Sequence, residues 1–241
     1  MANKKSNMYD GAETWNPFKG CLFDCTYCGP SFQLQSKRQM HLCDKCYEYK
    51  PHCHSDRLDK IPSTAIVFVC GNSDISFCPP QFTRQIIDAV VQHKPRTPKA
   101  FYFQSKRPSY FEQFLTQFPN NVILITTLET NRDTGYTAIS KAPPPSERYK
   151  QFKELNYPRK VVTIEPVLDF DEDIFFQWII DLTPEYVWLG LNSKHMTVQL
   201  PEPSPQKLCR LVRRLNDANI EVRGKELVRS KPKKRQKIVR Q

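Results

Sequence analysis

Short apolar runs alternate with helix-like spacing along most of this chain. From residue 61 onward, continuous runs rich in β-branched residues are typical of strands that are buried on both faces. One further strand is expected before Cys21, because the residues ahead of it read as a loop that leaves a strand. The predicted strands are 65–70, 99–104, 121–127, 160–165 and 185–189, with 220–222 as a short candidate for the last one.

Between these runs, apolar residues recur at three- and four-residue intervals, which predicts amphipathic helices. Strands that alternate with helices imply right-handed βαβ crossovers and a parallel sheet. We therefore predict an α/β fold with about six such units, a partial (β/α)6 TIM-like barrel. A doubly wound sheet is the alternative, because sequence alone does not determine strand order. The predicted helices are 80–93, 109–118 with Ser109 as its N-cap, 145–155, 172–180 and 205–218.

Charge divides the chain into a body and a tail. We expect a flexible lead-in at 1–12, the barrel at 13–228 with a Cys/His-rich insertion at 37–60, and a basic tail at 229–241. The formal net charge is +11, which suggests an anionic partner such as DNA or RNA. The tail carries seven basic residues and no acid, and subtracting them from +11 leaves +4 for the rest. The tail therefore either touches a polyanion or is a solvated segment that keeps the protein soluble.

Neither the apolar runs nor the N-terminus indicates a membrane or a secretory route. No run of about 18 apolar residues is present, and no apolar segment follows the N-terminal lysines. We therefore expect a cytoplasmic protein without membrane contact. Nine cysteines in a reducing compartment are more typical of metal or cluster binding than of disulfides.

Three of these cysteines form the motif C-x3-C-x2-C, at Cys21, Cys25 and Cys28. Thiolates at this spacing on a tight loop can take three corners of a [4Fe–4S] cluster and leave one iron with an open coordination position. A zinc knuckle is the alternative, but zinc sites usually pair two short knuckles, which this spacing does not provide.

The motif, with the aromatic Tyr27 before its third cysteine, resembles the signature of the radical S-adenosylmethionine (SAM) superfamily. That resemblance implies SAM as a second cofactor, an electron donor such as flavodoxin or ferredoxin, and reductive cleavage to a 5′-deoxyadenosyl radical that abstracts hydrogen from a substrate. It also implies that Tyr27 lies near the adenine. Segments such as WNPFKGC, GNSD, TIEP and FQSKRP look closest to a phage-associated branch distantly similar to spore photoproduct lyase. A phage-encoded member would work in the host cytoplasm.

A second group of cysteines and histidines lies in the insertion. Cys43 and Cys46 form a C-x2-C knuckle, and Cys53 or a flanking histidine can complete a tetrahedral site. The predicted ligands are Cys43, Cys46, Cys53 and His54. The metal is either a structural zinc or an auxiliary iron–sulfur cluster.

Polar residues follow nearly every predicted strand, where functional residues of parallel barrels lie. By the resemblance, one of three residues after the second strand replaces a Gly-Gly-Glu contact to the methionine amino group, and Glu129 matches a ribose-binding position. The predicted cofactor-binding residues are Tyr27, Asn72, Ser73, Asp74, Ser105, Lys106, Glu129, Glu165 and Asn192.

Three functions are consistent with these features. The first is a radical SAM enzyme that modifies or repairs a nucleic acid base or a nucleotide. The second is a radical SAM enzyme acting on a small metabolite or peptide. The third is a non-catalytic, zinc-dependent nucleic-acid-binding protein.

Overall fold

The computed structural model describes residues 11–38, 43–94 and 99–224. Seven parallel strands form one curled half-barrel sheet, and two short antiparallel strands form a separate pair. The strands are β1 (Glu13–Trp15), β2 (Phe18–Lys19), β3 (His52–Cys53), β4 (Ile66–Val69), β5 (Ala100–Gln104), β6 (Val122–Thr127), β7 (Lys160–Ile164), β8 (Val187–Leu189) and β9 (Val222–Arg223).

The order of the seven-stranded sheet is β1-β4-β5-β6-β7-β8-β9, so each strand of the sheet adds to the same side of the one before. Right-handed crossovers that always advance in one direction place all the helices on one face. A doubly wound sheet requires a reversal of strand order, which this sheet lacks among the described residues. The predicted partial barrel is therefore confirmed, and the doubly wound alternative is wrong.

The longer helices cover the convex face of the sheet. They are α3 (Pro80–Gln92), α4 (Pro145–Glu154), α5 (Glu172–Leu182) and α6 (Pro205–Asp217), while the short helices α1 (Leu34–Lys37) and α2 (Asp44–Tyr47) lie in the segment between β2 and β3. Alternate strand residues such as Phe101 and Phe103 pack with α3 to α6 in the main core, while Tyr102 belongs to a second cluster. Because successive side chains of a strand point to opposite faces, the second cluster lines the concave side.

One predicted helix differs from the structure. The segment Pro108–Phe114 is a 3-10 helix that follows Arg107, not an α-helix with Ser109 as its N-cap. Its buried residues Pro108, Phe111 and Phe114 recur every three positions, which is the period of a 3-10 helix. The strand expected before Cys21 is β1, and the candidate last strand is β9, so the sheet has one strand more than the six predicted units. None of the described helices is long and apolar enough to span a bilayer.

Candidate cluster and cofactor site

The loop that carries the first three cysteines begins at the carboxyl end of β1. The chain passes through β2 and turns at Gly20, whose φ of 95° is a left-handed value that glycine adopts without strain. A Cβ atom at this position would lie 2.2 Å from the carbonyl oxygen of Lys50, so a larger residue would force the backbone to shift. Cys21 follows directly, and Cys25 precedes the 3-10 turn Thr26–Cys28. The cysteines therefore lie where active-site loops of parallel barrels begin.

Cys25 is buried between two polar neighbours. Its Sγ lies 3.0 Å from Ser140 Oγ and 3.3 Å from Lys106 Nζ. A hydrogen bond from the Cys28 thiol, together with the positive charge of Lys106, outweighs burial and lowers the pKa of Cys25 to about 5. The same hydrogen bond raises the pKa of Cys28, and burial raises that of Cys21. At neutral pH Cys25 is therefore a thiolate, which is the form of cysteine that binds metal.

A buried ionic network surrounds the carboxylate of Glu129. Lys106 Nζ lies 2.8 Å from Oε1, which also accepts a hydrogen bond from Tyr27 Oη at 2.5 Å and from Tyr136 Oη at 3.1 Å. Arg148 Nη1 lies 2.8 Å from Oε2, and both side chains are fully buried. Burial opposes ionisation of Glu129, but Arg148 and Lys106 outweigh it and lower the pKa of this carboxyl to about 2.

Charge in this network does not cancel. Glu129 supplies one negative charge, while Lys106 and Arg148 supply two positive charges, both with raised pKa values because of the anionic groups beside them. The ammonium of Lys106 also lies 4.7 Å from the ring centroid of Tyr27. A net positive charge therefore lies buried beside Cys25, where it favours anionic thiolates.

A cavity of about 680 Å³ opens beside the cysteine loop, and Tyr27 forms part of its wall. Its other walls come from β1, from the segment after Cys28, and from the residues that follow β4, β7 and β8. Four of the predicted cofactor-binding residues line it: Tyr27, Asn72, Glu165 and Asn192. The other five, Ser73, Asp74, Ser105, Lys106 and Glu129, do not line it.

The three candidates after β4 have different surroundings. Asp74 accepts hydrogen bonds from Ser76, from Ser105 Oγ at 2.7 Å and from the Lys106 amide at 2.7 Å, so it joins the ends of β4 and β5. The Ser73 hydroxyl donates to the carbonyl of Cys70 at 2.7 Å. Asn72 is the one of the three that lines the cavity.

The side chains of Glu165 and Asn192, which line the cavity, are fixed by hydrogen bonds to neighbouring residues. Trp188 Nε1 donates to Glu165 Oε2 at 2.7 Å. A Cβ atom on Gly190 would lie 2.5 Å from the Glu165 carboxyl carbon, so glycine leaves room for this side chain. Asn192 donates to the Val198 carbonyl at 2.7 Å and accepts from the Lys194 amide at 2.9 Å.

The second group of possible ligands lies in the insertion and differs from the predicted set. Donor atoms of Cys43, Cys46, His52 and His54 all lie within 4.8 Å of one another. Cys53 is outside this group and exposed. Because side chains alternate along an extended strand, His52 and His54 lie on one side of β3 and Cys53 on the other.

Comparison with known proteins shows a likeness of fold, without a match of sequence. No protein-family model and no curated protein matches the sequence. The structure superposes on the crystal structure of a radical SAM methyltransferase from Sphaerobacter thermophilus with a TM-score of 0.54 and 13% sequence identity. The two proteins share a fold. The match covers 89% of this chain and 65% of that one, so the chain spans just under two thirds of the length of its neighbour.

Several residues of this site were not predicted from the sequence. Arg148 lies on α4 among other basic residues, and Tyr136 and Ser140 lie far from the cysteine motif along the chain, so no local pattern distinguishes them. Lys194 also lines the cavity, and its place after a strand is the signal that could have identified it. Together, three thiols beside a cavity with charged and amide groups can hold a metal cluster next to a small polar molecule.

Proposed function

We propose that this chain is a radical SAM enzyme that holds a [4Fe–4S] cluster through Cys21, Cys25 and Cys28 and binds SAM in the adjacent cavity. One observation carries the proposal. The C-x3-C-x2-C motif follows the first strand of a half-barrel whose fold is shared with a radical SAM methyltransferase, and Tyr27 of that motif forms part of the cavity wall.

The residues present fit such a cluster. Three thiols on one loop can each ligate a separate iron, which leaves the fourth iron for a small ligand. The thiolate at Cys25 and the buried cation of Lys106 favour an anionic thiolate-ligated group. When bound, a cluster of this kind supplies the electron that cleaves SAM to a 5′-deoxyadenosyl radical.

The cavity fits the second cofactor by size and polarity. Its volume of about 680 Å³ is within the range of about 300–1,000 Å³ that is typical of small-molecule sites. The amide of Asn72 and the carboxylate of Glu165 can bind an ammonium group, and Lys194 can bind a carboxylate. Glu129 is already paired with two cations behind Tyr27, so we assign it to the support of Tyr27 and Lys106 and not to a ribose contact.

For the substrate we propose a nucleic acid or a nucleotide, whose base is modified or repaired. The support is the net charge of +11 and the basic tail. The tail lies outside the described residues. A reduced flavodoxin or ferredoxin would donate electrons, in a cytoplasm whose reducing conditions keep the nine cysteines as thiols. The likeness to a phage-associated branch near spore photoproduct lyase is part of this proposal.

The test is anaerobic reconstitution with iron and sulfide, followed by incubation with dithionite and SAM. We expect a brown protein with about four irons per chain and formation of 5′-deoxyadenosine. Cys21→Ala, Cys25→Ala and Cys28→Ala should each abolish this product, whereas Cys209→Ala, on the exposed side of α6, should not. Full activity in any of the first three variants would overturn the proposal.

A second measurement addresses the substrate. Binding of the protein to DNA and RNA duplexes is titrated with salt, and a steep decrease in affinity is expected for a partner held by phosphate contacts. Cleavage of SAM without measurable binding to either polymer would favour a small metabolite or peptide as substrate. Zinc in place of iron with no SAM cleavage would favour a non-catalytic nucleic-acid-binding protein.

A further inference from the structure

We propose that Cys43, Cys46, His52 and His54 bind a single Zn²⁺ as a closed structural site, and that this ion holds the loop that presents Cys21. The metal site is independent of the proposed function. The role of the ion in positioning Cys21 as a cluster ligand rests on the proposed function.

The distances between the ligand atoms fit one tetrahedral zinc ion. Zn–S bonds of about 2.3 Å and Zn–N bonds of about 2.0–2.1 Å at tetrahedral angles place sulfur and nitrogen about 3.5 Å apart. In the structure His52 Nε2 lies 3.4 Å from Cys43 Sγ and 3.3 Å from Cys46 Sγ. His54 Nε2 lies 3.3 Å from Cys46 Sγ. Three of the sulfur–nitrogen pairs are therefore already at the spacing that one ion requires, and all four donor atoms lie within 4.8 Å of one another.

The surrounding hydrogen bonds select the correct histidine nitrogen. His52 Nδ1 lies 2.7 Å from the carbonyl oxygen of Lys50, which can only accept, so Nδ1 carries the proton and Nε2 is left free to bind metal. This carbonyl contact is a common means by which proteins orient metal-binding histidines.

The ligand types favour zinc over an iron–sulfur cluster in the insertion. Cubane clusters are typically held by cysteine thiolates, whereas this group supplies only two thiols and adds two imidazoles. Two thiolates and two imidazoles, with no fifth donor in the group among the residues that the structure describes, are typical of structural zinc. Of the two groups that the sequence left open, zinc and an auxiliary iron–sulfur cluster, we therefore assign zinc.

The site is connected to the cysteine loop by the backbone. Strand β3 pairs with β2, so that His52 lies opposite Lys19. The amide of His54 donates to the carbonyl of Pro17 at 2.6 Å. Farther along the loop, the Cys21 amide donates to the carbonyl of Tyr49 at 3.4 Å. The ligands His52 and His54, and Tyr49 between Cys46 and His52, therefore contact the segment that leads to Cys21.

Packing strengthens this connection. Gly20 lies so close to the Lys50 carbonyl that no side chain fits between them. The side chain of Lys19 is buried, with 1% exposed, and is hydrogen-bonded to Cys46. Without the ion, the short segment 43–54 has few apolar residues to hold it in place. The residues 18–21 that pack against this segment would then lose part of their support.

The first test is metal analysis in a Cys21→Ala/Cys25→Ala/Cys28→Ala background, which removes the other thiol group. We expect one zinc ion per chain in this background. Adding Cys46→Ser should remove it, and adding Cys53→Ser should leave it in place, because Cys53 lies outside the group. No zinc in the background protein, or loss of zinc in both added variants, would overturn the ligand assignment.

A spectroscopic test covers the case in which Cys46→Ser does not fold. Replacing zinc with Co²⁺ in the same background, which is otherwise native at all four ligands, should give the strong visible bands of tetrahedral cobalt and a thiolate charge-transfer band. Weak octahedral bands alone would overturn the proposal. Neither result depends on SAM cleavage, so failure here is distinguishable from failure of the proposed function.

The effect on the loop is read by hydrogen exchange on the full chain without its cluster. Removing zinc with a chelator should accelerate exchange at the amides of 18–21, while the amides of β6 at the centre of the sheet serve as the control. Unchanged exchange at 18–21 after complete zinc removal would refute the role in holding Cys21.

Discussion

Glu129→Gln should destabilise the protein far more than its position beside a ligand cavity would suggest. The substitution keeps the shape of the side chain and removes its charge. Lys106 and Arg148 would then remain as two buried cations without their shared counterion. A buried charge that loses its partner is among the few single changes with a large effect on stability.

The magnitude follows from the geometry in two ways. Removing one partner of a buried ion pair typically costs about 3–5 kcal/mol. Independently, a carboxyl whose pKa falls from 4.5 to about 2 on folding contributes about 3 kcal/mol to the free energy of unfolding. For a chain of this size, 3–5 kcal/mol corresponds to a decrease in Tm of roughly 6–20 °C.

The sign of the pH dependence provides a further check. Because the folded-state pKa is depressed, this stabilisation is present above about pH 4.5 and is lost as the pH falls towards about 2. Over this range the free energy of unfolding of the native protein should decrease towards that of Glu129→Gln.

The assay is urea or thermal unfolding of the cluster-free protein under anaerobic conditions. Glu185→Gln is the matched control, because Glu185 pairs with Arg159 at 2.6 Å in a partly exposed position. Exposed pairs typically contribute about 0–1 kcal/mol. If Glu129→Gln and Glu185→Gln lower stability equally, the network around Glu129 does not carry the stability assigned to it.

Two other outcomes are expected from the structure, and a third is expected from the charge of the C-terminal sequence. Gly20→Ala should lower Tm and iron content more than Gly135→Ala. Both glycines have a positive φ, but of the two only Gly20 lies against a backbone carbonyl. Equal losses in the two variants would show that this contact is not important. Asn72→Ala should weaken SAM binding about 2- to 10-fold in calorimetry, whereas Ser73→Ala should not, and the reverse order would contradict our assignment of the cavity wall. Deleting 229–241 should reduce the log–log salt slope of duplex binding by roughly 4 to 5 without loss of SAM cleavage, and an unchanged slope would make the tail a solubility device.

The centre of the sheet was predictable because its strands are largely continuous apolar runs. Val122–Thr127 is buried at every position, and a run of this kind needs no knowledge of its neighbours to be recognised. The 3-10 helix Pro108–Phe114 was not predicted, since aromatic residues at three-residue spacing also fit one face of an α-helix.

The site was predictable where its chemistry is local in sequence, or where a polar residue comes shortly after a strand, as Asn72, Glu165 and Asn192 do. Cys21, Cys25 and Cys28 lie on one loop, so their spacing alone indicates a shared ligand. Glu129 and Arg148 meet because a strand and the following helix pack together, and no sequence pattern states which residues face each other. His52 and not Cys53 belongs to the group of possible ligands because of the side of β3 on which each side chain lies. A strand of two residues is too short for the sequence to show which side chain lies on which side.

The incomplete barrel also determines which molecules can reach the cavity. In a closed barrel the strands form a continuous ring, so no sheet edge is open beside the active site. Here β1 lines the cavity and, among the described residues, is paired only with β4, so the cavity lies next to an open edge of the sheet. A long polymer could therefore approach sideways and present an internal unit to the cavity without threading an end. A closed barrel with the same residues would have strands along this side as well, and it would leave no open edge for such an approach.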